Sequence, residues 1–107
     1  MRLRNKPWAI KLVNEHPESV LQHPDPAKKI DWDKRFADFS RPLEIEVGSG
    51  KGRFVTTLAA QYPEKNFVAI ELQTTAAGII LRTKLEKHLN NLQILRGDAA
   101  DINRFFA

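Results

Sequence analysis

From Arg41 onward, the hydrophobic positions switch between two periods. LEIEV at 43–47 reads as a short strand and halts at Gly48-Ser49-Gly50-Lys51-Gly52. After the glycines, Phe54, Val55, Leu58, Ala59 and Tyr62 recur at helical spacing until Pro63 closes the helix. NFVAIEL at 66–72 is a second apolar strand, and residues 74–89 form a second helix. Its inward stripe is read as Ala77, Leu81, Leu85 and Leu89, with Arg82, Lys84, Glu86 and Lys87 on the other faces. LQILR at 92–96 gives a third strand, which leads into Gly97-Asp98 and a helix start at Asp101. Three strands alternating with helices predict an α/β unit: a parallel sheet with right-handed crossovers.

The first forty residues follow no such rule. Pro17, Pro24 and Pro26 punctuate them, HPDPAKK reads as turn, and DWDKRFADF reads as a short helix with Trp32, Phe36 and Phe39 on one side. The expectation is a division at 40/41: a basic arm and Pro-rich lead-in packed loosely on a sheet-forming unit, 41–107.

Composition narrows the classes. A chain of 107 residues with 42% hydrophobic content forms one small domain or part of one. It has no cysteine, and its three histidines have no ligand partner at metal-binding spacing, so no metal site is predicted. No stretch approaches the ~18 apolar residues of a membrane span, and a soluble, cytoplasmic protein is expected. Charge is concentrated at the start: Arg2, Arg4, Lys6 and Lys11 precede the first acid, Glu15, and equal the whole net charge of +4. A basic head on a neutral body suits an arm that neutralises phosphates, or a solvated terminus.

In open α/β sheets the ligand lies beyond the carboxyl ends of the strands, so the residues ending each strand carry the information. Here they are Glu46, Glu71 and Asp98, one acid per strand. Gly48, Gly50 and Gly52 let backbone approach a ligand, and the helix that follows offers its first amides to a carboxylate. Glu71, 23 residues after Gly48, stands where a carboxylate accepts from ribose hydroxyls. Asp98 is placed to accept from an adenine amine, and Glu46 to balance an ammonium. A ligand with adenosine, ammonium and sulfonium, S-adenosyl-L-methionine, suits this set; the competing reading is a plain glycine turn with solvated acids.

Rival ligands fit less well. A phosphate-binding P-loop needs Gly-Lys-Ser/Thr where Arg53, Phe54 and Val55 stand, and the dinucleotide pattern needs its third glycine at Arg53. Lys51 and Arg53 face tRNA or the cofactor carboxylate on one reading and solvent on the other. Trp8 and Trp32 are base-stacking or anchoring residues. No role falls to His16, His23 or His88.

The head Arg2-Leu3-Arg4-Asn5-Lys6-Pro7-Trp8-Ala9, the stretch Ile45 to Gly52 and Ala69-Ile70-Glu71 together resemble the bacterial tRNA (guanine-N7-)-methyltransferases. These are class I methyltransferases with a Rossmann-like fold. The resemblance, which covers nearly the whole chain, implies methyl transfer from S-adenosyl-L-methionine to guanine N7 in the variable loop of tRNA. It places Glu46, Gly48, Gly50, Glu71 and Asp98 at the cofactor, and Arg2, Arg4, Lys6 and Lys51 toward the RNA. Guanine N7 is an unprotonated acceptor and needs no general base, so catalysis rests on alignment, and no catalytic residue is nominated. The family's further motif, N-F-x-D-P-W-P-K-K-R-H, does not occur here. The chain is therefore expected to be an N-terminal half with three parallel strands, inactive by itself, and Phe105 and Phe106 are expected to lack partners that bury them. A non-catalytic RNA-binding or partner-binding α/β module is the alternative, and monomer and homodimer both remain open.

Overall fold

The structure, a computed structural model, describes residues 5–48 and 53–106. Strands β2 (Leu43–Val47), β3 (Asn66–Glu71) and β4 (Leu92–Arg96) alternate with helices α3 (Arg53–Gln61) and α4 (Thr74–Lys87), as the hydrophobic pattern predicts. A short 3-10 turn, Ala99–Asp101, then leads into α5 (Ile102–Phe105).

The lead-in is better ordered than expected. Pro7 opens helix α1 (Pro7–Glu15), where its missing N–H costs nothing. A three-residue strand, β1 (Val20–Gln22), pairs in parallel with β4, so among the described residues the sheet has four strands in the order β1-β4-β3-β2 rather than three. Far from resting loosely, α1 seats on α4. A Cβ built on Gly78 falls 2.6 Å from the Ala9 Cβ, and the Arg82 guanidinium lies 4.4 Å from the centre of the Trp8 ring.

The two faces of the sheet follow the period of two along each strand. Phe67, Ala69, Leu92 and Ile94 pack against Val13 of α1, Val55 and Ala59 of α3, and Ala77, Ile80 and Leu81 of α4. On the other face, Val68, Ile70 and Leu95 meet Trp32, Phe36 and Phe105, with Ile45 partly buried beside them. β3 is buried at every residue, as a central strand covered on both sides must be. Asn91, buried just before β4, donates from Nδ2 to the carbonyls of Ala59, Tyr62 and Lys65 at 2.9 to 3.1 Å, and so satisfies the carboxyl end of α3.

Some side chains differ from expectation. Lys84, read as outward, is only 7% exposed. The expected stripe does face inward, with Ala77, Leu81 and Leu89 buried and Leu85 partly buried against the core, but the inward face is wider and takes in Ile80 and Lys84, which lie one helical turn apart. Phe54 is 60% exposed, and Tyr62 is also exposed. The aromatic stretch forms only one helical turn, α2 (Trp32–Arg35), with Phe36 already extended. Phe39 stacks on Phe36 with centroids 5.9 Å apart but keeps part of its surface exposed. Phe105 is 2% exposed, contrary to the expectation that it lacks partners. The Trp32 indole donates to its carbonyl at 2.8 Å, and Phe106 stacks flat on Trp32 at 5.1 Å.

Candidate functional site

The carboxyl ends of β2, β3 and β4 form one edge, and the sequence-predicted acids arrive there in order. Glu46 pairs across the ladder with Ala69, and Glu71 lies two residues further along β3 on the same face. Strand spacing and rise put their Cα atoms about 8 Å apart. Glu46 is half-buried and Glu71 is 5% exposed. A carboxylate enclosed at a strand end is not merely solvated, and Glu71 does have interaction partners.

Backbone bonds fix the three strand ends relative to one another. Gly48 N–H donates to the Ile70 carbonyl at 2.9 Å, and Gly97 N–H donates to the Glu71 carbonyl at 3.0 Å. Gly48 holds φ +58°, a left-handed conformation that favours glycine. Among the described residues, no heavy atom comes within 4 Å of where its Cβ would sit. Asp98 follows Gly97; its exposed carboxylate accepts from the Ala100 N–H at 2.9 Å and opens the short 3-10 turn.

Both crossover helices begin at this edge, α3 at Arg53 and α4 at Thr74. The backbone N–H of Lys6 donates to the Thr75 hydroxyl at 3.2 Å, which brings the described part of the basic head to the first turn of α4. Gly50 and Lys51 of the loop, and Arg2 and Arg4 of the head, lie outside the described residues. The structure therefore brings Glu46, Gly48, Glu71, Asp98 and Lys6 to one edge.

Two residues there were not singled out from the sequence. Leu72, 64% exposed, offers an apolar surface directly after Glu71. Arg96 is the ladder partner of Glu71. Its Nη1 donates to Gln22 Oε1 at 2.8 Å and its Nη2 to the Leu72 carbonyl at 3.4 Å, while Gln22 donates to Asn14 at 3.0 Å. The lead-in is thus tied to the strand end that carries Glu71. That tie is invisible in the sequence, because it needs β1 beside β4.

Among the described residues, no three His, Cys, Asp or Glu side chains gather to hold a metal, and no helix is long and apolar enough to cross a membrane. Trp32 lies in the core, whereas Trp8 is exposed, with the Arg82 guanidinium over its ring.

Comparison with known proteins agrees with this arrangement. Residues 40–107 match a family model described as "Putative methyltransferase". The chain is 78% identical over 106 residues to the tRNA (guanine-N(7)-)-methyltransferase of Lactobacillus acidophilus, covering 99% of this chain and 48% of that protein. The same-named protein of Lactobacillus gasseri is 68% identical over 102 residues, 95% of this chain and 47% of its own length. That of Latilactobacillus sakei is 48% identical over 107 residues, 100% of this chain and 49% of its own length. The chain spans about half the length of the curated relatives it matches. With a methyltransferase model covering its whole strand-loop-helix unit and the acids of that unit on one sheet edge, the chain belongs to this methyltransferase family.

Proposed function

We propose that this chain supplies the cofactor-binding part of an enzyme that methylates guanine N7 in the variable loop of tRNA, with S-adenosyl-L-methionine as methyl donor. The observation that carries the reading is the bonded edge itself: Glu46, Glu71 and Asp98 at three successive strand ends, joined through Gly48 and Gly97. The names of the relatives, all tRNA (guanine-N(7)-)-methyltransferases, support the substrate.

The residues suit the group. When bound, S-adenosyl-L-methionine supplies a methyl carried on a positively charged sulfur. Glu71 accepts from the ribose hydroxyls, Asp98 from the adenine amine, and Glu46 balances the ammonium. Gly48 and Gly50 carry no side chain to hinder a ligand's approach, and Leu72 gives the flat base an apolar wall. These residues bind and orient; none has to move a proton, since guanine N7 already carries a free lone pair. Alignment and exclusion of water are what they contribute to the rate.

Residues 41–107 form the cofactor part, and residues 1–40 carry the basic head toward the RNA. Arg2, Arg4, Lys6 and Lys51 meet tRNA phosphates, in the cytoplasm where tRNA is found. The test is tRNA binding to this chain at two salt concentrations, with and without S-adenosylhomocysteine. Binding that weakens steeply with salt, together with measurable affinity for S-adenosylhomocysteine, is expected. Salt-dependent RNA binding by a chain with no affinity for the cofactor would overturn this reading in favour of a non-catalytic RNA-binding module.

A further inference from the structure

At the opposite, amino end of the strands, a cleft of about 450 Å³ opens between the start of β1, the last turns of α4 and α2. Its polar lining includes Glu18, Ser19, Lys34, Arg35, Lys84 and Gln93. Three of these are cations and one is an acid.

Among the described residues, the polar groups of buried Lys84 and Gln93 and of half-buried Arg35 are short of partners. Lys84 is enclosed in the inward stripe of α4, and among the described residues its ammonium makes no hydrogen bond or ion pair. Arg35 donates from Nη2 to the Pro17 carbonyl at 2.7 Å, but its Nε is sealed from solvent with no partner. The Oε1 of Gln93 is likewise sealed and unpartnered. The Glu18 carboxylate accepts from the Ser19 hydroxyl at 3.0 Å and, among the described residues, forms no ion pair with either cation. A buried charge without a partner is costly, and removing an ammonium from water is repaid only by a counter-charge in contact with it.

We propose that this cleft binds a phosphate-bearing anion, held between Lys84 and Arg35. An ammonium brings three donors and a guanidinium five, and here they converge from two separate elements, α4 and α2. An oxyanion with several acceptor oxygens satisfies donors from both sides, and such charge-assisted bonds are the strong ones. Lys84 and Arg35 line the one cleft from segments packed on opposite faces of the sheet. The site is separate from the carboxyl edge and does not depend on the methyltransferase reading.

The test titrates inorganic phosphate into the 107-residue chain at constant ionic strength, with chloride as the balancing ion and amide chemical shifts as the readout. Saturable binding is expected in the parent. It should weaken at least tenfold in Lys84→Met and clearly in Arg35→Gln, remain within threefold in Lys84→Arg, and be unchanged in Lys87→Ala, which alters an exposed position on α4. A second arm adds a short single-stranded oligoribonucleotide without terminal phosphates. Competition with phosphate assigns the site to an RNA backbone; phosphate binding without competition assigns it to a free phosphate or monoester. Absence of saturable binding by either probe overturns the proposal, as does equal binding by the parent, Lys84→Met and Arg35→Gln. S-adenosylhomocysteine affinity measured on the same variants should not move, which separates this site from the carboxyl edge.

Discussion

The Trp32 indole N–H donates to the Phe105 carbonyl at 2.8 Å, joining the Pro-rich lead-in to the far end of the described chain across 73 residues. The bond is buried, and Phe106 stacks on the same indole. Trp32→Phe removes the donor, leaves a buried carbonyl unsatisfied and shrinks the ring. It should cost about 2 kcal/mol of stability, read as a lower urea midpoint at unchanged slope. A midpoint equal to the parent's would show that this contact does not hold the chain end in place.

Two glycines separate two kinds of constraint. At Gly78 a Cβ would fall 2.6 Å from the Ala9 Cβ and 2.9 Å from its Cα, so Gly78→Ala must push α1 off α4. Because the clash includes the Ala9 backbone, overpacking should cost about 3 kcal/mol, leaving about 2 kcal/mol after the ~1 kcal/mol that alanine gains in a helix. At Gly48 there is room among the described residues but φ is +58°, so Gly48→Ala costs only the left-handed backbone, about 1 kcal/mol. Thermal melts of the two variants, each confirmed folded by circular dichroism, test that order.

Lys84 should make stability depend on alkaline pH. Burial lowers its pKa from 10.5 to about 8, with the field of Arg35 acting in the same direction and that of Glu18 opposing it. Between those two values the unfolded chain binds more protons than the folded one, so stability rises with pH across this window. The penalty is fully present below pH 8 and gone above the unfolded value. In phosphate-free buffer at pH 7, Lys84→Met should be more stable than the parent by about 2 kcal/mol. That advantage should shrink as pH rises from 8 toward 10.5, and a difference that stays flat would contradict the burial of a charged amine.

What the sequence revealed depended on the range of the signal. The elements of β2, α3, β3, α4 and β4 were legible because each buries a periodic apolar face against its neighbours. Glu46, Glu71 and Asp98 were legible because a strand followed by a turn announces its own end. β1 was not: Val20, Leu21 and Gln22 lie between Pro17 and Pro24, too short a run to show a period. Without β1, the chain of bonds from Asn14 through Gln22 to Arg96 could not be foreseen. The burial of Lys84 escapes the pattern because the inward face of α4 is wider than the leucines four apart that mark it. The burial of Phe105 is not legible because its partner, Trp32, lies in a segment with no regular pattern.

The central claim is that the edge carrying Glu71 holds the cofactor. Calorimetric titration of S-adenosylhomocysteine into this chain, and into folded Glu71→Ala and Glu71→Gln variants, tests it most directly. Binding by the parent that drops at least tenfold in Glu71→Ala, about 1.4 kcal/mol, is the predicted result, with Glu71→Gln weakened as well because it keeps shape but not charge. A folded parent that gives no heat and no thermal shift with the ligand, or variants that bind as well as the parent, would contradict it.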